Sequence, residues 1–257
     1  MLKIITMGTG NAFAHEKSFQ SAHYIEIDGK KIMLDCGPAI LSAAQHSDVD
    51  VSDLEYLFIS HLHGDHMSGV PFLLLNYKYV IHRKSPLTII GPKGLRDQID
   101  FAIRGSYPSL ITEDLYKVIE LHVNQEFKIY DHILVRPFEA YHIPDSFCYS
   151  ISLGNLKVVY SGDNELQEGQ LIEFDSTTVL IHELTTMDST QGGHTSWELM
   201  KKYLDNILSK TKYVLLVHTS EDVRNEPNQT FPRNVIRAKD GSIFEFNERG
   251  NLFQMVI

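Results

Sequence analysis

The chain has little cysteine: only Cys36 and Cys148 in 257 residues. Two cysteines cannot form a disulfide framework, which sets aside the small stapled secreted domains. Long apolar runs are missing too. No stretch approaches the roughly 18–20 residues of a membrane-spanning helix. The opening Met1-Leu2-Lys3-Ile4-Ile5-Thr6-Met7-Gly8 is too short and too strand-like for a secretory signal. There is no low-complexity tract, Gly/Ser linker or internal repeat. Basic residues are in deficit, with 23 Lys plus Arg against 33 Asp plus Glu and a net charge of −10. That argues against a broadly basic nucleic-acid surface. Together these absences predict one cytoplasmic domain over residues 1–257, with no membrane partner.

What is present is a hydrophobic share of 43%, enough for a sizeable core. Short apolar runs predict strands at Lys3–Met7, His23–Asp28, Lys31–Asp35, Tyr56–Ser60 and Leu87–Ile90. Helices are expected at Ile40–His46, Met67–Tyr77 and from Pro92 to about Arg104. Further strands are expected at Val118–His122, Glu126–Ile129, Ile133–Glu139, Phe147–Leu153, Lys157–Ser161, Thr178–His182 and Tyr213–Val217. Ser196–Leu208 reads as an amphipathic helix, capped by Ser196 or Thr195, with Trp197, Met200 and Leu204 at helical spacing. Strands alternating with helices, plus antiparallel meanders, indicate an α/β protein with two sheets between helices.

One loop concentrates the chemistry. Residues 58–66 read Phe58-Ile59-Ser60-His61-Leu62-His63-Gly64-Asp65-His66. Imidazole is the commonest side-chain ligand for zinc, and carboxylate is a compatible partner. Four such groups exceed what one closed site needs from one loop, so two neighbouring metals are expected. Other candidates share the same context. Asp163 and His218 each follow a short apolar strand, and His142 follows the strand ending near Ala140. Strand ends converging on one edge would gather these side chains on rigid supports.

The pattern His61-x-His63-x-Asp65-His66 resembles the signature of the metallo-β-lactamase superfamily. So do, in the family's order, Met7-Gly8-Thr9-Gly10, Leu34-Asp35-Cys36-Gly37, His142, Ser161-Gly162-Asp163, His182-Glu183, Gly193-His194-Thr195-Ser196 and His218. The branch it looks most similar to contains ribonuclease Z and related phosphodiesterases. The resemblance implies an αββα sandwich of two mixed sheets flanked by helices. It implies one metal on His61, His63, His142 and Asp163, and a second on Asp65, His66, Asp163 and His218. Asp163 would bridge, because two carboxylate oxygens can face two cations. The histidine-rich set favours two Zn2+, with Mn2+ or Fe2+ compatible. Bound cations lower the pKa of water towards ~7, and Asp65 would be a ligand and general base. Glu183 and His194 match the pair that supplies the leaving group's proton: the carboxylate orients the imidazole and raises its pKa. The alternative is that His194 caps the following helix and Glu183 makes a structural ion pair. Asp35 resembles an aspartate that orients a ligand histidine, with a turn-forming Asp as the competing reading. Gly8-Thr9-Gly10 would let the backbone approach the site. His182 is expected on the face opposite Glu183, and His15, His23, His46, His82, His122 and His132 carry no supporting pattern.

The sequence departs from ribonuclease Z of the long-armed type, which inserts an RNA-gripping arm between the third histidine motif and the bridging aspartate. Here His142 and Asp163 are 21 positions apart, room for a strand, the Gly154-Asn155 turn and a return strand. The leading expectation is therefore a binuclear hydrolase of small or cyclic nucleotide-type phosphodiesters. RNA is not favoured as a substrate, although a second subunit of a homodimer could lend a binding surface. A ribonuclease Z-type endonuclease and a lactone, thioester or β-lactam hydrolase are the alternatives. A non-catalytic interaction module and a flavodiiron-like redox protein fit less well.

Overall fold

Within each strand, alternate residues go to opposite sides, and both sides are apolar. In β1 (Leu2–Gly8), Leu2 and Ile4 join one buried cluster while Ile5 and Met7 join another. Such strands read as continuous hydrophobic runs because both faces of the sheet are covered. The computed structural model describes residues 1–110, 114–188 and 192–257.

The chain first lays down β2 (Ala22–Ile27), β3 (Lys30–Leu34), β4 (Tyr56–Phe58), β5 (Leu87–Gly91) and β6 (Tyr116–Glu120). A second sheet follows from β7 (Phe127–Ile129), β8 (Ile133–Glu139), β9 (Phe147–Leu153) and β10 (Leu156–Tyr160). It continues with β11 (Thr177–Glu183), β12 (Thr211–Val217) and β13 (Val235–Arg237). The chain then returns to the first sheet with β14 (Ser242–Phe246) and β15 (Leu252–Val256). The first sheet has eight strands in the order β15-β14-β1-β2-β3-β4-β5-β6, and the second has seven in the order β13-β12-β11-β10-β9-β8-β7. Both are mixed: β3 to β6 and β10 to β13 run parallel, and the rest pair antiparallel.

The sheets face each other across Ile4, Ile25, Leu34 and Phe58 from one side and Tyr149, Val158, Ile181 and Leu215 from the other. Outside the first sheet lie α1 (Ile40–His46), α2 (Gly64–Met67), α3 (Val70–Asn76) and α4 (Leu95–Ser106). Their Ala43, Met67, Leu73 and Ile99 pack on its outer face. Outside the second sheet α5 (Trp197–Lys210) presents Trp197, Met200 and Ile207, and α6 (Glu221–Asn225) adds Val223. The αββα sandwich is thus as expected. Truncating one of these core side chains to Ala should cost about 2–5 kcal/mol.

Three expectations need correction. The helix expected at Met67–Tyr77 is two, because the chain breaks at Ser68-Gly69. A Cβ on Gly69 would lie 2.1 Å from the Gly37 carbonyl, and the Gly69 amide donates to Cys36 at 2.9 Å. That close approach overrides helical continuity. The strand expected at Val118–His122 sits two residues earlier, because its parallel register with β5 runs from Leu87–Tyr116 to Gly91–Glu120. The helix expected from Pro92 starts at Leu95, after Gly94 turns at φ +87°.

Candidate metal centre

The site is built from strand ends. β4 delivers Ser60 and His61, β8 leads to His142, β10 ends before Asp163, β11 ends on Glu183, and β12 ends before His218. Parallel strands bring their C-terminal ends to one edge, where functional groups of α/β folds gather. Asp35 and His218 leave their strands in the left-handed region, at φ 58° and 54°. Such backbone outliers cluster at functional sites.

All seven predicted ligands come together. His61, His63, His142 and Asp163 form one group, and Asp65, His66, Asp163 and His218 form a second; the ligand atoms within each lie within 4.8 Å of one another. Asp163 divides its oxygens between them. Its Oδ2 is 3.7 Å from both His61 Nε2 and His142 Nε2, and its Oδ1 is 3.2 Å from His66 Nε2 and 3.3 Å from His218 Nε2. Asp65 Oδ2 is 3.3 Å from both His66 Nε2 and His218 Nε2. His63 Nδ1 is 3.0 Å from His142 Nε2. A tetrahedral zinc with bonds of about 2.0–2.1 Å spaces its ligand atoms by about 3.3–3.4 Å, so these separations fit a cation at each centre. His61 Nε2, His66 Nε2 and Asp163 Oδ1 are buried without a hydrogen-bond partner among the described residues. Buried polar atoms are normally satisfied, and a metal ion would satisfy these. Burial and the neighbouring His66 hold the His61 ring well below the usual histidine range, so its lone pair is free. Burial disfavours ionised Asp163, but His218 and His66 prevail and hold it well below the usual carboxylate range.

The second ring nitrogens of His61, His66, His142 and His218 have partners, as ligation by a histidine would require. Asp35, fully buried, accepts from His66 Nδ1 at 2.7 Å, Tyr160 Oη at 2.5 Å, Ser60 Oγ at 2.8 Å and Ser60 N at 2.7 Å. Ser60 Oγ in turn lies 3.0 Å from His61 Nδ1. His142 Nδ1 donates to the Gly193 carbonyl at 2.8 Å, and His218 Nδ1 lies 3.3 Å from Thr185 Oγ1. The turn-forming reading of Asp35 therefore gives way to the orienting one. Sequence reasoning missed Ser60, Tyr160 and Thr185. Each is an ordinary residue type, and the local signals are positional: Ser60 directly precedes His61, and Thr185 lies two positions after Glu183.

Glu183 and His194 pair beside the two groups. Glu183 Oε1 is 2.9 Å from His194 Nδ1, Thr185 Oγ1 donates to Oε2 at 2.6 Å, and His194 Nδ1 is 4.0 Å from Asp163 Oδ2. Burial works against a charge on His194, but Glu183 outweighs it and lifts the ring to about 9. Cations in the adjacent groups would pull that value down again by repulsion. The helix-capping alternative fails, because Ser196 Oγ caps α5 by accepting from Leu199 N at 3.2 Å. His182 points away, towards Phe174, with Nδ1 donating to the Glu183 carbonyl at 2.7 Å. Gly8 is crowded by the Gln20 backbone and not by the ligand groups: a Cβ there would lie 1.9 Å from the Gln20 carbonyl. His23, expected to be incidental, is fully buried on β2, and burial with repulsion from His66 and His218 drops it to about 3.

Known proteins resemble this chain in sequence and in fold. Ribonuclease Z from Agathobacter rectalis is 30% identical over 186 residues, a match covering 68% of this chain and 60% of that protein. Anti-Pycsar protein Apyc1 from Paenibacillus xerothermodurans is 26% identical over 185 residues, covering 68% of this chain and 71% of that one. The metallo-β-lactamase fold protein YhfI from Bacillus subtilis superposes with a TM-score of 0.78 at 20% identity, covering 95% of this chain and 100% of that one. The family described as Anti-Pycsar protein Apyc1 matches from residue 2 to residue 240. That span takes in both ligand groups and the Glu183–His194 pair, and by it the chain belongs to the Anti-Pycsar Apyc1 family of metallo-β-lactamase-fold hydrolases, on the ribonuclease Z side of that fold.

Proposed function

We propose that this chain is a binuclear phosphodiesterase acting on small, cyclic nucleotide-type phosphodiesters, as one cytoplasmic domain. The observation that carries the phosphodiester reading is the Glu183–His194 pair set against Asp163. Hydrolysis of a lactone, thioester or β-lactam can use the same metals without that pair. An alkoxide leaving group needs a proton, and His194, held by Glu183, would give it. Two divalent cations, zinc by the donor set of five histidines and two aspartates, would polarise the phosphoryl oxygens and acidify water into a nucleophile. The remaining work falls to the chain. Asp163 would hold the two centres at a fixed spacing, Asp65 would accept the nucleophile's proton, and Asp35 and Gly193 would keep His66 and His142 in their ligating tautomers.

The β9–β10 hairpin bears on substrate size. Between His142 and Asp163 the chain makes only this hairpin, turning at Gly154 with φ +55°. An arm that could embrace an RNA body is not part of it. The net charge of −10 also disfavours RNA, whose affinity rests largely on Lys and Arg contacts to phosphates. The test is a comparison of kcat/KM for the metal-loaded protein. Its substrates are cyclic nucleotides, linear dinucleotides, bis(p-nitrophenyl) phosphate, a lactone, nitrocefin and precursor transfer RNA, at physiological ionic strength. Small phosphodiesters should lead. Clean processing of precursor transfer RNA above any small substrate would overturn the reading in favour of ribonuclease Z activity. Lactone or nitrocefin turnover without phosphodiester turnover would remove the phosphodiesterase assignment.

A further inference from the structure

The three residues that follow Asp163, Asn164 to Leu166, wire it to the rest of the site. Asn164 Oδ1 accepts from Tyr141 N at 2.9 Å, Asn164 N donates to Glu183 Oε1 at 2.7 Å, and the Asn164 carbonyl accepts from Thr195 Oγ1 at 2.6 Å. Leu166 N donates to the same Thr195 hydroxyl at 2.9 Å. Glu165 has a different reach. Its backbone amide donates to the Tyr141 carbonyl at 2.9 Å, one residue before His142. Its carboxylate Oε2 accepts from Gly193 N at 2.9 Å. The Gly193 carbonyl accepts from His142 Nδ1 at 2.8 Å, and the next residue is His194.

The turn carrying that peptide has weak preferences of its own. Gly192 and Gly193 both take left-handed φ, at 69° and 72°. Glycine loses more conformational freedom on ordering than any other residue, so a two-glycine turn needs an external anchor. The contact with His142 has no slack, since a Cβ on Gly193 would lie 2.9 Å from His142 Nδ1. A small movement of this turn therefore moves the acceptor that fixes the His142 tautomer and the backbone that launches His194. The far side is pinned by Thr185 N donating to the Thr195 carbonyl at 3.0 Å, and Glu165 is the side-chain anchor on the near side.

We propose that Glu165 is a positioning residue: through the Gly193 peptide it fixes His142 for metal and His194 for proton donation. The proposal rests on the reading of His142 as a ligand and His194 as a proton donor. Glu165 belongs to neither ligand group and reaches His142 only through Gly193, so its removal should show first in the group that contains His142. Outer-shell partners of ligand histidines are typically worth about 10–100-fold in metal affinity or activity, and action through one peptide places Glu165 near the lower figure.

The experiment measures zinc affinity at both centres by two-step competition titration, and kcat and KM on a phosphodiester with an alkyl leaving group. It uses full-length Glu165→Ala, Glu165→Gln and His142→Ala. Glu165→Ala should weaken one centre by roughly 10-fold, leave the other unchanged, and lower kcat more than it raises KM. Glu165→Gln should recover most of both, because its amide oxygen can still accept from Gly193. If Glu165→Ala does not fold, Glu165→Met keeps the volume without the acceptor and is compared with Glu165→Gln. His142→Ala that keeps both metals overturns the ligand assignment and the proposal with it. Loss of metal in His142→Ala with none in Glu165→Ala, or equal loss at both centres, or no recovery in Glu165→Gln, overturns the proposal alone.

Discussion

Replacing Asp35 with Asn tests how far one buried carboxylate organises the centre. The substitution preserves shape and removes charge. Asp35 Oδ2 receives three donors, from His66, Tyr160 and Ser60, and Oδ1 receives the Ser60 amide. Asparagine has one acceptor oxygen. If that oxygen keeps the three donors, its NH2 group faces the Ser60 N–H, donor against donor. One charge-assisted bond is then lost outright, at about 1.5–3 kcal/mol, and the other three weaken towards neutral strength. Release of the buried charge offsets part of this. A net destabilisation of about 2–4 kcal/mol is expected for the metal-free protein, read as a drop in the urea midpoint at unchanged slope. His66 loses its charged partner directly, and His61 loses the far end of its contact through Ser60. Zinc affinity should therefore fall by about 10–100-fold. A variant that unfolds at the parent's midpoint and binds zinc equally would refute the reasoning, and Asp35 would revert to a turn residue.

Three further outcomes are expected. Asp163→Ala should lose both metals by elemental analysis, because its oxygens face both groups, whereas His61→Ala should mainly lose one; retention of both in Asp163→Ala would end the bridging assignment. His194→Ala should keep its metals and lose about 10²–10⁴-fold on alkyl phosphodiesters, with far smaller loss on p-nitrophenyl esters, whose leaving group departs without a proton. Equal losses on the two would remove His194 from that role. Gly193→Ala should weaken metal binding at the His142 centre, because the added Cβ meets the ring at 2.9 Å in a backbone region that disfavours side chains; unchanged zinc binding would show that the turn relaxes freely.

The fold was legible where both faces of a strand are apolar. Tyr56–Ser60, Thr178–His182 and Tyr213–Val217 stand out as runs, and the structure keeps β4, β11 and β12 there. The last stretch of the chain was not legible. β13, β14 and β15 went unassigned, although β14 carries Phe244 and Phe246 into the inter-sheet core. Ser242–Phe246 alternates with a charged Glu245 and follows Lys239-Asp240-Gly241, so locally it reads as surface. Its place is decided by pairing with β1, more than two hundred residues back, from Leu2–Phe246 to Thr6–Ser242. Local pattern carries no information about such partners.

The site divides along the same line. A metal ligand must be His, Asp or another donor, so chemistry restricts the alphabet, and the resemblance to the metallo-β-lactamase superfamily singles out seven positions within it by their order along the chain. What holds those ligands is under no such restriction. A backbone carbonyl at Gly193, a hydroxyl at Ser60 or Thr185 and a carboxylate at Asp35 all do the same task of fixing the second ring nitrogen. Any acceptor will serve if the fold puts it within about 3 Å. The ligands are marked by residue type and by an order shared with a family, while their supports belong to three-dimensional placement. Two carboxylates show how the supports are shared. Asp35 reaches His66 directly and His61 through Ser60, and Glu183 reaches His194 directly and His218 through Thr185. Each buried acid thus orients two rings, one directly and one through a hydroxyl. The loss of the Ser60 hydroxyl should act on one ring and the loss of either acid on two.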